Sequence, residues 1–225
     1  MLKRYCIALL TYWLTVIAGA TNGLPTPIQA QKILVVGDSL SAEYGIPRGT
    51  GWVALLAERL QKVPGQGTSP TTWTMVNASI SGDTSSGGRT RLAALLKTHQ
   101  PRVVILELGG NDALRGLPIA QTRDNLEAMV KMALASGAKV LVLGIQVPPN
   151  YGQAYTAAFA NVYTDLSKRY AVPLLPFFLT RVADSPDAAS LFQADRIHPN
   201  QKAQPRLADN VWPLLAKLIQ AKPTP

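Results

Sequence analysis

Cysteine is nearly absent from these 225 residues. Cys6 stands alone, so neither a disulfide framework nor a cysteine-based zinc site can form within the chain. Histidine is almost as scarce: His99 and His198 are the only two, which leaves little material for metal chemistry. Charged residues make up only 16%, and no acid precedes Asp38. No apolar run reaches the ~20 residues that a spanning helix needs. What is present is apolar matter, 47% of residues with a mean hydropathy of +0.10. That excludes a disordered polymer, which lacks the apolar surface to offset its ordering entropy. Length and composition together fit one core of ordinary domain size.

Lys3 and Arg4 precede an apolar run from Cys6 to Ala20, followed by small residues and a proline-containing stretch to Ala30. A basic start, a short apolar segment and small residues describe a secretory signal. Residues 1–30 are therefore expected to be a leader, cleaved after Ala20 or after Ala30, with residues 31–225 forming one domain. The location that follows is periplasmic or secreted, with no stable membrane anchor after cleavage. Losing Lys3 and Arg4 takes the net charge from +9 to +7. The remaining basic residues are scattered apart from Arg89-Thr90-Arg91 and Lys168-Arg169. Nucleic-acid binding wants basic clusters interleaved with aromatics, so no nucleic-acid partner is expected. Attraction to anionic lipid or to phosphate-bearing acyl substrates fits the charge, as does plain solubility.

Short apolar runs at Lys32–Val36, Trp73–Val76, Val103–Leu108, Val140–Ile145 and Val172–Leu175 alternate with helical patterns. These cover Gly51–Lys62, Gly87–Thr98, Ile119–Ser136 and Ala154–Tyr170, and Ala203–Ile219 closes the chain. Strands apolar on both faces and alternating with helices imply a parallel sheet covered on both sides. Right-handed crossovers then predict a three-layer α/β/α doubly wound, flavodoxin-like fold with five parallel strands. Ligands in such folds collect at the carboxyl ends of the strands. The segment from Val63 to Thr72, rich in Gly, Pro and Thr, reads as an exposed connection.

Polar segments follow the first three strands. Gly37-Asp38-Ser39-Leu40-Ser41 can present a hydroxyl and a backbone N–H to a cleft, though Ser and Asp also favour helix N-caps. In Asn77–Thr84, Gly82 lets backbone approach a ligand without a Cβ in the way, and an ordinary turn explains it equally well. Gly109-Gly110-Asn111-Asp112 ends the most hydrophobic strand and can aim an amide at developing negative charge, or simply form a turn. Near the C-terminus, Asp195-Arg196-Ile197-His198-Pro199 places a histidine on a loop, because proline disfavours helical geometry in the residue before it. The spacing of three lets Asp195 accept from the ring Nδ1–H, leaving Nε2 free as a base. His99, at the end of a helical pattern, reads as a solvated helix terminus. Glu107, inside an apolar strand, reads as buried and paired, steadying the Asn111 loop; Asp38 and Asp112 read as braces of their turns.

The ordered set resembles the four blocks of the SGNH (GDSL) hydrolase family. The likeness extends through Gln100–Gly116 and Val147–Gly152 to the branch of periplasmic thioesterases, lysophospholipases and arylesterases, and spans about Lys32 to Ile219. The resemblance implies Ser39 as nucleophile, His198 as base and Asp195 as its orienter, with Ser39, Gly82 and Asn111 forming an oxyanion hole. It also implies an acyl groove lined by Leu114, Leu117, Val147, Pro148 and Tyr151, no cofactor, no metal, and a monomer. The implied function is serine-based hydrolysis of small-molecule acyl esters, thioesters and lysophospholipids. A carbohydrate or peptidoglycan O-acetylesterase on the same residues, or an exported binding module without turnover, are the alternatives. Three departures stand out: Arg196 where a glycine is frequent, Gln146 where arginine is expected, and the long Val63–Thr72 segment.

Overall fold

The computed structural model describes residues 29–62 and 71–220. The expected leader lies outside the described residues except for Gln29 and Ala30, as does most of the connection after Lys62. Five strands form one parallel sheet: β1 (Gln29–Gly37), β2 (Thr71–Asn77), β3 (Val103–Glu107), β4 (Lys139–Leu143) and β5 (Leu174–Leu175). Their spatial order is β2-β1-β3-β4-β5. Every residue of β3 is buried, as are Ile33 to Val36 of β1 and Val140 to Leu143 of β4. Such strands read as unbroken apolar runs because both faces of the sheet are covered. This is the three-layer doubly wound architecture that the alternation predicts.

Six helices cover the sheet: α1 (Trp52–Gln61), α2 (Ser85–His99), α3 (Gly110–Leu114), α4 (Ile119–Ala135), α5 (Gln153–Tyr170) and α6 (Gln204–Gln220). α1 packs against α6, while α4 packs between α2 and α5. Trp52, Leu56 and Leu60 of α1, and Leu207, Val211 and Leu215 of α6, form inward stripes at helical spacing. Phe159, Val162, Tyr163 and Leu166 do the same for α5.

Two elements differ from expectation. The fifth strand pairs over two residues only, Val142 with Leu174 and Leu143 with Leu175. Pro173 and Pro176 bracket that pair, and proline has no N–H for a ladder. The short helix α3 was not foreseen, because Gly109 to Asp112 carries turn-forming residues rather than an apolar period. The order reverses at β1, which has β2 on one side and β3 on the other. β1 and β3 stay paired to their last residues, Gly37 with Glu107, and the connections that leave them there run to opposite sides of the sheet, the place where ligands collect in such folds.

Candidate active site

Ser39 sits one residue beyond Asp38, which leaves the end of β1. The turn is tied by Ser41 N–H and Ala42 N–H to Asp38 O, at 3.2 and 2.9 Å. From β3, Glu107 Oε2 accepts Asp38 N–H at 3.3 Å and the Ser41 hydroxyl at 2.7 Å. Glu107 thus braces the Ser39 turn, not the Asn111 loop that its strand leads into. A Cβ on Gly37 would fall 2.7 Å from both Glu107 Oε2 and Ser41 Oγ, so the glycine is dictated by crowding. Burial without a neutralising cation, reinforced by the nearby Asp38, pushes the Glu107 carboxyl well above its usual range. Asp38 is also raised, to about 6, mainly by burial and against the opposing effect of its bonds to Leu40 N–H and Asn111.

Ser39 Oγ lies 2.8 Å from His198 Nε2, and His198 Nδ1 lies 2.7 Å from Asp195 Oδ2. The Asp195 side chain is anchored locally: its Oδ1 accepts the N–H groups of Ile197 (2.9 Å) and His198 (3.0 Å). Those hydrogen bonds, with the one to the imidazole, hold its carboxyl down at about 2. Arg196 takes φ +57°, the left-handed region that explains why glycine suits this position. The loop is closed by an antiparallel bridge between Phe192 and Pro199. Gln193 fastens it to the Ser39 side of the crevice, donating from Nε2 to Tyr44 O at 2.8 Å while its N–H donates to His198 O at 2.8 Å.

Asn111, at the start of α3, donates from Nδ2 to Asp83 O (2.9 Å) and Asp38 Oδ2 (3.2 Å). Its amide is thereby aimed between the first and second polar segments, with both hydrogens engaged. Gly82 has φ +79°, and a Cβ there would meet only Arg115 Nη2, at 3.7 Å. The position needs glycine for its backbone conformation, not for room. Arg115 Nη2 donates to Gly82 O at 2.7 Å, joining the Ala113–Pro118 loop to this turn. Leu114, Pro148 and Tyr151 face solvent, Leu117 is half-buried, and Val147 is buried, backing the wall from inside. Asp112 is buried beneath α3 and accepts from Ser85 N–H (2.8 Å), the Ser85 hydroxyl and Thr122 Oγ1 (3.2 Å).

Sequence reasoning missed three residues. Arg91 on α2 pairs with Asp83 at 2.8 Å and also donates to Ala78 O and Gly37 O, stitching the first two segments together. Tyr44 lays its ring 4.4 Å from the His198 imidazole at a 42° tilt. Gln193 bridges two loops as described. Tyr44 meets His198, and Gln193 meets Tyr44, across about 150 residues, and Arg91 reaches Gly37 from 54 residues away, so no local pattern announces these roles. His99 closes α2, some fourteen residues of helix beyond Ser85. Among the described residues no group of three or more His, Cys, Asp or Glu side chains is disposed to hold a metal ion.

Residues 35–205 match the GDSL-like Lipase/Acylhydrolase family. The chain belongs to that family. It is similar to Esterase TesA of Pseudomonas aeruginosa, with 51% identity over 190 residues covering 84% of this chain and 90% of the relative. It is also 45% identical over 191 residues to Thioesterase 1/protease 1/lysophospholipase L1 of Escherichia coli, covering 85% of this chain and 84% of the relative. The crystal structure of TesA superposes with a TM-score of 0.76, covering 84% of this chain and 99% of that one. Among GDSL-like acylhydrolases, then, this member holds a hydroxyl, an imidazole and a carboxylate in line at the mouth of its crevice.

Proposed function

We propose that the protein hydrolyses acyl esters and thioesters through an acyl-enzyme on Ser39. The observation that carries this is the unbroken relay from Ser39 Oγ through His198 to Asp195, at 2.8 and 2.7 Å. Ser39 Oγ attacks the acyl carbon as His198 Nε2 takes its proton, giving a tetrahedral oxyanion. The imidazolium then protonates the departing alcohol or thiol, leaving the acyl group on Ser39. Water, deprotonated by the same nitrogen, attacks that ester and releases the acid and the free serine. Asp195 orients the ring and stabilises its charged form without taking the proton.

The oxyanion is held by the N–H groups of Ser39 and Gly82 and by the Asn111 amide. Asn111 reaches it by giving up its longer bond, the 3.2 Å contact with Asp38. The names of the relatives, esterase and thioesterase/lysophospholipase, support acyl substrates. Leu114, Leu117, Pro148 and Tyr151, backed by Val147, line the acyl groove, where each buried CH₂ contributes ~0.8 kcal/mol. The protein acts as an exported, periplasmic monomer. Its leader ends after Ala20, because a cut after Ala30 would remove Gln29 and Ala30, which pair with Thr71 and Thr72. N-terminal sequencing of the exported form tests that boundary.

Turnover of a series of p-nitrophenyl esters tests the reaction. Ser39→Ala and His198→Ala are expected to abolish it, and kcat/KM in the parent is expected to rise from acetate toward medium chains. A maximum at acetate with a steady fall would point instead to the O-acetylesterase chemistry.

A further inference from the structure

Among the described residues, six large hydrophobic side chains remain exposed: Tyr44, Ile80, Leu114, Leu134, Tyr151 and Ile197. Single exposed hydrophobics need no explanation, but the distribution of these six is uneven. Leu134 lies in the last turn of α4, whereas the other five sit on the segments that follow β1, β2, β3 and β4 or carry His198. Their spatial links are explicit. Tyr44 touches the His198 ring, and Ile197 is the next residue in the chain. Ile80 opens the turn whose Gly82 carbonyl is held by Arg115, the neighbour of Leu114. Tyr151 stacks on Tyr155 at the far wall, 5.9 Å between ring centroids. These residues leave 38% to 53% of their surface exposed.

Cations accompany them. Arg48, Arg115 and Arg196 are exposed on the same segments; Arg48 lies 4.0 Å from Glu43, Asp195 is engaged by His198 and Asp83 by Arg91, while Arg115 and Arg196 have no carboxylate partner among the described residues. We infer that this collar is a docking face for the surface of an anionic phospholipid bilayer, on which the crevice opens directly toward acyl chains. An apolar rim flanked by arginines fits an interfacial seat, in which side chains enter the headgroup boundary while cations meet lipid phosphates. A second copy of the chain suits the face poorly, because each exported copy carries a net charge of +7, the full +9 less Lys3 and Arg4, and the same arginines. The docking face rests on the acyl-ester function proposed for Ser39 but is read without turnover.

The test is flotation of Ser39→Ala protein, purified in its exported form, with phosphatidylglycerol or phosphatidylcholine vesicles. The protein is expected to float with phosphatidylglycerol and to lose most of that binding as salt rises. Adding Ile80→Ser and Ile197→Ser is expected to weaken partition about tenfold, and Arg48→Gln with Arg196→Gln to remove the preference for the anionic lipid. Leu134→Ser, at the other pole, leaves it unchanged. On a Ser39 background, the Ile80→Ser protein is expected to hydrolyse dissolved p-nitrophenyl butyrate within about twofold of the parent, since Ile80 takes no part in the Ser39–His198–Asp195 relay. Equal flotation of all variants would overturn the docking face. So would an equal loss for Leu134→Ser, or a dimer in sedimentation that Ile80→Ser/Ile197→Ser dissolves. Loss of parent turnover alone would instead overturn the catalytic proposal.

Discussion

At Gly82 the backbone holds φ +79° with almost no side-chain crowding. Gly82→Ala therefore perturbs conformation alone, and a left-handed non-glycine residue costs roughly 1–2 kcal/mol. The expected result is a thermal midpoint a few degrees lower, with kcat reduced more than KM is changed, as the displaced N–H weakens its hold on the oxyanion. Asn111 presents a different case, because its amide is already bonded to Asp38 and Asp83. Asn111→Ala removes an oxyanion donor, which commonly costs on the order of 3 kcal/mol of barrier, and leaves the buried Asp38 one partner fewer. Steady-state kinetics should show a kcat loss of about a hundredfold with KM little changed. A KM effect alone would mark Asn111 as a binding residue.

Among the elements, α2 does more than cover the sheet. Its Arg91 reaches Asp83, Ala78 O and Gly37 O, so the helix fixes the relative height of the first two polar segments. Arg91→Met keeps most of the apolar stem but strips these bonds, leaving half-buried Ala78 O and Asp83 each short of a partner while Gly37 O keeps Ile80 N–H; a loss of about 1 kcal/mol is expected, which chemical denaturation can measure. The strands and long helices were legible in the sequence because their apolar spacing follows directly from burial on two faces or one. Ile33 to Val36 and the stripe through Phe159, Val162 and Leu166 carry that signal without reference to anything distant. The Asp195–His198 pair was legible for a different reason, since the two are close in sequence and the proline after His198 restricts the loop; the link to Ser39, 159 residues away, was implied only by the family resemblance. Arg91, Tyr44 and Gln193 were not legible, since their roles arise only when segments as much as 154 residues apart, Tyr44 and His198, meet. Glu107 was half legible. Its strand position announced burial, but nothing local revealed that its partners would be Asp38 and Ser41.

For the whole molecule, pH acts on stability through buried carboxyls of one sign and the Asp195 carboxyl of the other. Asp38 is raised from 3.8 to about 6, and Glu107 lies well above 4.5. The folded protein therefore binds more protons at these two sites than the unfolded chain does. Stability falls as pH climbs through that interval, from about 4 upward. Asp195, held down at about 2, has the reverse sign, and its contribution disappears as pH falls from about 4 to 2. Glu107→Gln removes one titrating site, so denaturant midpoints measured from pH 5 to 8 should decline less steeply in the variant than in the parent.

All of this depends on Ser39 being the atom that bonds to the acyl group. Labelling with a fluorophosphonate, followed by peptide mass mapping, tests that bond directly. One adduct per chain is expected, on the peptide carrying Ser39, with none in Ser39→Ala and sharply slower labelling in His198→Ala. An adduct on any other residue, or undiminished labelling of the Ser39→Ala protein, would contradict it.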